Sequence, residues 1–274
     1  MELQFLYTEE YCQIVARLVA LVERTPGFTV HVTGMAYTSV VACLYMHSLS
    51  AARTLLRLFD SFGMDWFPVT AGYAIVRPMF EVDVTAHYIS KDPASRAERY
   101  IQWHNVLVQR KLEACVTHRQ SQDSTWRERM DFEWHTHWAA REAEIRAKYD
   151  SVRHLFETAD KNGKLRPFHS WSGRTIRQMA IEVDHAEAYD AFYAELSSFT
   201  HGDIRLANRF LKTDQNGMYW SVRADEGDVG RVFCYAATFL TCMLEFMAGQ
   251  FGAWSVDDVR RCWDVEPGRE KANS

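Results

Sequence analysis

Residues 66–89, WFPVTAGYAIVRPMFEVDVTAHYI, restrict the fold more than any other stretch of this chain. Ile75, Val76, Met79, Phe80, Val82, Val84 and Ala86 leave no wide polar face on a helix, and a helix apolar nearly all round belongs inside a domain. Arg77 and Glu81 nevertheless sit on it, four residues apart and therefore on one stripe. A charge in such a setting must be paired or hydrogen-bonded, because its desolvation costs several kcal/mol. Pro78 lies between them and removes the amide that would bond the carbonyl of Ala74, so a kink is expected beside Arg77.

Helical spacing dominates the rest of the chain. Thr8, Glu9 and Glu10 open a first helix, and a second spans about 33–62, stopped by Gly63 as a C′ residue. Asp92 and Pro93 start a helix that runs to His118. Thr125 to Glu128 reads as a capping box ahead of a charged, exposed helix to about 150, with Trp126, Phe132, Trp134 and Trp138 forming no single stripe. Helix is expected from Ser151 to the turn at 160–164. A further helix from Asp184 to Thr200 is expected to bury Tyr189, Phe192, Tyr193, Leu196 and Phe199. Asn216 and Gly217 give the one good hairpin signal, and a long helix over 226–251 precedes a short one opened by Ser255. These signals predict an all-α bundle of about eight helices with one small β-hairpin near 210–222. A single domain is expected over 1–266, with its core at 33–251 and a disordered tail over 267–274.

A hydrophobic share of 47% can fill such a core, and the net charge of -5 supplies no global attraction to phosphate backbones. Six cysteines without a C-x-x-C pair favour free thiols in a reducing cytoplasm. No signal peptide is expected at the N-terminus. The uncharged runs 33–52 and 232–244 read as buried helices rather than membrane spans, the first because of its hydroxyls and His47, the second because it is short. G-x-S-x-G, Walker A, G-x-G-x-x-G and H-E-x-x-H patterns are missing from the sequence, which removes support for the familiar hydrolase, nucleotide-binding and zincin classes.

Two stripes carry candidate chemistry. Tyr193, Ser197 and His201 are spaced by four at the end of one helix, where the dipole would favour a charged imidazole. The same stripe also fits a capping arrangement in which Ser197 bonds back to the main chain. Arg77 and Glu81 fit either an ion pair that fixes helix register or a phosphate clamp. If the two helices face each other, all five groups converge. For metals, a ferritin-like bundle needs two E-x-x-H motifs, and the sequence has one, at Glu182 and His185. Asp83 with His87, and His135 and His137 with Glu133, fit only adventitious metal binding, so no metal or cofactor is expected.

Val76-Arg77-Pro78-Met79-Phe80-Glu81, then Arg99-Tyr100, then Trp171-Ser172-Gly173 with Thr175-Ile176, then Tyr193, Leu196, Ser197 and His201 resemble the motifs of a prokaryotic all-helical family catalogued as a domain of unknown function. The resemblance spans about 33–251. It implies an all-α bundle, and through related helical proteins of abortive-infection systems it points to the HEPN class of metal-independent ribonucleases. Such enzymes use an R-x(4 to 6)-H pair, usually across a dimer interface. Arg24/His31, Arg99/His104 and Arg129/His135 have that spacing, which chance supplies about as often in a chain with this many arginines and histidines. Taken with the two stripes, the leading expectation is a ribonuclease or toxin of this kind with His201, Arg77 and Glu81 as catalytic residues. Tyr193, Ser197, Arg99, His104 and Trp171 become substrate contacts, RNA the partner, and a cytoplasmic homodimer the working form. The rival expectation is a non-catalytic helical module that binds a partner protein or a small anion.

Overall fold

The computed structural model describes residues 8–25, 36–159, 163, 165–200, 211–215, 217–221, 223–252 and 254–265. It is an all-α bundle with small β-hairpins, and it divides into two compact units, Met1–Tyr88 with Ile176–Ser274, and Ile89–Thr175.

The first unit is built on helices α1 (Thr8–Arg24), α2 (Ala36–Trp66) and α3 (Val69–Ser90). The bounds of α1 follow the acidic first turn read from the sequence. Gly63 lies inside α2 with φ 63° and ψ -175°, so the helix breaks at the glycine expected to stop it. Helix α3 runs through Pro78 without interruption. The second unit starts with α4 (Pro93–His118), capped by Asp92, whose side chain accepts from the amide of Ser95. Helix α5 (Ser124–Glu133) is capped by Asp123 rather than by the expected capping box, because the Asp123 carboxylate accepts from the amides of Thr125 and Trp126 at 2.9 and 3.3 Å.

The charged segment that follows is not one helix. A π-helical turn at Trp134–Trp138 and a 3-10 turn at Ala139–Arg141 separate α5 from α6 (Glu142–Val152). Trp126 and Phe132 are 51% and 67% exposed. Residues 153–159 depart further from expectation. A 3-10 turn leads into strand β1 (Glu157–Ala159), which pairs antiparallel with β2 (Leu165–Pro167). Residues 157–159 are thus strand where helix is expected, and Phe156, packed edge-on against Trp103 at 5.2 Å, anchors the pair; the turn expected at 160–164 lies, apart from Gly163, outside the described residues.

The first unit resumes with α7 (Ile176–Glu182), α8 (Ala186–Ala188), a π-helical turn at Tyr189–Tyr193 and α9 (Ala194–Thr200). The single helix expected over 184–200 is thus interrupted. Its stripe is interrupted too: Leu196 and Phe199 are buried, whereas Tyr189, Phe192 and Tyr193 are half-buried. Strands β3 (Leu211–Asp214) and β4 (Gly217–Trp220) form the expected hairpin, in which Asp214 pairs with Gly217 and the latter takes φ 124°.

Helix α10 (Glu226–Phe251) begins at the Asp225 cap and ends at Gly252 in the left-handed region. It is long and apolar enough to cross a membrane, yet 67% of its apolar window is buried inside the protein. Phe233 packs on Phe67 and Phe59, and Phe239 on Phe80, so α10 is the core of this unit. Helix α11 (Val256–Arg261) carries a capping box of Ser255 and Asp258. All six cysteines are free thiols, and Cys43 is exposed, so not every one is a core group.

Close approach of α3 and α10 depends on Gly72. A Cβ there would lie 2.8 Å from Phe67 Cε1 and 3.0 Å from Val232 Cγ1, and both side chains are buried. Alanine improves helix propensity by about 1 kcal/mol, but overpacking costs about 1–3 kcal/mol. Gly72→Ala is therefore expected to lower stability by about 1 kcal/mol in urea unfolding. An increase would mean that the helices separate freely at this point.

Candidate functional site

Arg77 and Glu81 share a stripe of α3 because they are one turn apart, and Phe80 beside them packs against Tyr193 with ring centroids 5.9 Å apart. That packing draws the π-helical turn onto α3. Arg77 Nε donates to Glu81 Oε1 at 2.9 Å, and Arg77 Nη2 donates to the Tyr193 hydroxyl at 3.0 Å. The same hydroxyl donates to Glu81 Oε1 at 2.9 Å, so the three groups close a ring. The guanidinium carbon is 5.2 Å from the centroid of the Tyr193 ring, which adds a cation–π contact. Tyr189 stacks on Tyr193 at 4.6 Å and 19°. A π-helical turn changes the phase of side chains along a helix and is frequent at functional sites.

The cluster stays in contact with solvent, since the side chains of Arg77 and Glu81 are 19% and 31% exposed. Burial works against the Arg77 charge, but the hydrogen bonds to Glu81 and Tyr193 more than offset it and hold its pKa above the ordinary arginine value. Burial and the neighbouring Glu81 charge push the Tyr193 phenol up to about 12, so it remains a neutral donor at physiological pH. The arrangement holds a guanidinium in fixed orientation at a partly open surface, with a neutral hydroxyl beside it. Such a pair suits an anion with several acceptor oxygens.

Ser197 is half-buried on α9, one turn beyond Tyr193. His201 lies outside the described residues, as does His31 of the Arg24/His31 spacing. Arg99, His104 and Trp171 belong to the second unit. There Arg99 acts as a brace: its Nε donates to the carbonyl of Trp171 at 2.9 Å and its Nη2 to that of Leu155 at 2.7 Å, with Phe156 and Phe168 flanking the guanidinium. Trp171 is buried against Tyr100, with ring centroids 5.1 Å apart. His104 is exposed, and five residues along α4 turn it to a different face from Arg99. The R-x(4)-H spacing therefore does not make a pair within one chain.

The Trp171 motif also has a local explanation. Gly173 takes φ 70°, where only glycine is unstrained, and a Cβ there would lie 2.9 Å from the Phe168 ring. Ser172 Oγ accepts from the amide of Arg174 at 3.1 Å, and Ser170 Oγ donates to its carbonyl at 2.8 Å.

A second polar network was not anticipated from sequence. Arg231 on α10 pairs with Asp228 and donates to the Tyr73 hydroxyl at 3.3 Å, while Tyr235 donates to Glu195 at 2.7 Å. Tyr73 stacks on Phe199 at 3.7 Å. Its members come from α3, α9 and α10, and their spacing within any one helix carries no motif.

The fold is that of an all-α bundle, with an Arg–Glu–Tyr ring between α3 and a π-helical turn. The chain belongs to a family of unknown function, DUF5677, whose model matches residues 38–219. The match holds all four motif blocks but ends before α10, short of the span that the sequence resemblance implied. No curated protein and no solved structure matches the chain.

Proposed function

We propose that this protein is a HEPN-like, metal-independent endoribonuclease or toxin of a prokaryotic defence system, acting on RNA as a cytoplasmic homodimer. The observation that supports this reading is the ring of Arg77, Glu81 and Tyr193, a preorganised cation with a neutral donor at a partly exposed surface. In the proposed reaction His201 takes the proton of a ribose 2′-hydroxyl, the 2′-oxygen bonds to the adjacent phosphorus, and the bond to the 5′-oxygen breaks. The leaving oxygen is then protonated, and a 2′,3′-cyclic phosphate remains. Arg77 offsets charge growing on the phosphorane oxygens, Glu81 holds the guanidinium in place, Tyr193 turns its one hydroxyl proton from Glu81 to the substrate, and Ser197 donates a hydrogen bond.

One observation favours a second reading. Arg77 Nε and Nη2 both bond inside the ring, which would serve equally to fix the register of α3 against the π-helical turn in a non-catalytic binding module. Exposed Trp126 and Phe132 would then offer the partner surface.

Incubation of the purified chain with end-labelled structured RNA in excess EDTA, with folding followed by circular dichroism in the same buffer, separates the two. Cleavage by wild type to 2′,3′-cyclic ends is expected, with His201→Ala inactive at an unchanged melting temperature. Intact RNA in the presence of folded wild type overturns the nuclease reading and leaves the binding module.

A further inference from the structure

Asp83 and His87 occupy a stripe of α3 different from that of Arg77 and Glu81. Asp83 is 2% exposed, and among the described residues it has no lysine or arginine partner. A carboxylate charge so deep in an apolar unit needs a compensating cation or full hydrogen bonding. Its Oδ1, however, has no hydrogen-bond partner. The groups near it are two imidazoles, His87 from its own helix and His185 from the turn after α7, and the Cys242 thiol of α10; His87 Nδ1 is 3.0 Å from the Asp83 carbonyl oxygen, and Phe246 lies against its ring at 4.5 Å.

His185 reaches this point through an unusual turn. Its amide donates to the carbonyl of Ala180 at 2.8 Å and that of Asp184 to Ile181 at 3.3 Å, the bonding of a Schellman helix end. The left-handed residue is Asp184, at φ 61°, where glycine is usual. The turn breaks the Glu182 to His185 motif as a helical E-x-x-H unit and delivers the histidine alone to α3. His185 Nδ1 stops 3.7 Å from Asp83 Oδ2, too far for a hydrogen bond, and it too is buried without a partner. Burial, with a smaller contribution from His87, holds the His185 pKa below its ordinary value against the pull of Asp83.

We propose that Asp83, His87 and His185 bind one divalent first-row transition ion of the zinc type. One ligand atom from each residue lies within 4.8 Å of the others. Ligand atoms around a tetrahedral ion with bonds of ~2.0–2.1 Å stand about 3.3 Å apart, so modest side-chain rotation closes the set. Two imidazoles and one carboxylate are the donors such ions select over calcium or magnesium. The ion satisfies the orphaned Asp83 and His185 atoms and supplies the positive charge that Asp83 lacks. The side chains of both histidines are 25% exposed, so the ion has a way in from solvent, and three protein ligands leave a coordination position open. Because the carbonyl of His185 accepts the amide of Tyr189 at 3.0 Å, the ion also fastens to α3 the start of the segment that carries Tyr193.

The test uses the full chain, stripped with chelator, dialysed and titrated with cobalt(II) alone, then with zinc as competitor. This inference does not depend on the ribonuclease reading, and its readout is not activity. One equivalent of cobalt is expected to give visible d–d bands that zinc removes, and zinc should raise the melting temperature. Both effects should vanish in His87→Gln, His185→Gln and Asp83→Asn, and persist in His135→Gln, whose imidazole is on the exposed π-helical turn of the other unit. Should Asp83→Asn fail to fold, the wild type and the two histidine variants decide. A wild type without stoichiometric bands, or bands that survive His185→Gln, would overturn the site.

Discussion

Phe80→Ala is expected to lower the stability of this protein by about 3–5 kcal/mol, the range for removing a large aromatic side chain from a core. Phe80 is 1% exposed, and its ring lies 5.3 Å from Phe239, 5.9 Å from Tyr193 and 6.3 Å from Tyr189. It therefore joins α3 to both α10 and the π-helical turn. Three neighbours from two elements cannot all move in to refill the space, so most of the cavity should persist. In a chain of this size the loss corresponds to a fall in melting temperature of roughly 10 °C. Phe80→Leu, which keeps much of the volume, should lose clearly less. The effect should reach function as well, because Tyr193 would lose the wall that holds its hydroxyl on Glu81 and Arg77. A change below about 1 kcal/mol would show that Phe80 does not connect these elements.

If the protein cleaves RNA as proposed, Arg77→Ala is expected to reduce that cleavage by about 10²–10³-fold, the usual cost of deleting one donor aimed at transition-state charge. Its effect on stability should be much smaller. Glu81 keeps its bond to Tyr193, and the Arg77–Glu81 pair is partly exposed, so screening by solvent limits its contribution to about 1 kcal/mol. Arg77→Lys should recover little activity, because an ammonium cannot reach Glu81 and Tyr193 as the planar fork does. Single-turnover cleavage and thermal melts on the same samples separate the possibilities. A large fall in melting temperature with RNA-cleavage rates unchanged would make the ring architectural.

Much of the fold is legible in the sequence because helix ends carry local chemistry. Asp92-Pro93, Gly63, Asp225, Gly252 and Ser255 each satisfy or release backbone groups within one turn, and the helices begin or end where those residues stand. The failures share a cause. The strands β1 and β2 are three residues each and held by Phe156 beneath Trp103, a tertiary contact with no local signal. Both π-helical turns insert a residue into a helical period, so residues that share a stripe on paper diverge in the structure. The spacing of Tyr193 to Ser197 points along its own segment, but its partners lie on a helix more than a hundred residues away.

What the sequence determined by itself is the helical class, most helix boundaries, and the pairing of Arg77 with Glu81, since all of these act within about four residues. The tertiary structure alone decided which polar groups meet. It completed the Arg77 ring with Tyr193, spent Arg99 on the carbonyls of Leu155 and Trp171, and set His185 against Asp83 through one left-handed residue. The physical reason is that hydrogen bonds and ion pairs act over a few ångströms of space. Helical periodicity predicts which face a side chain occupies but not which other element the packing of Phe80, Phe233 and Phe239 will bring to it.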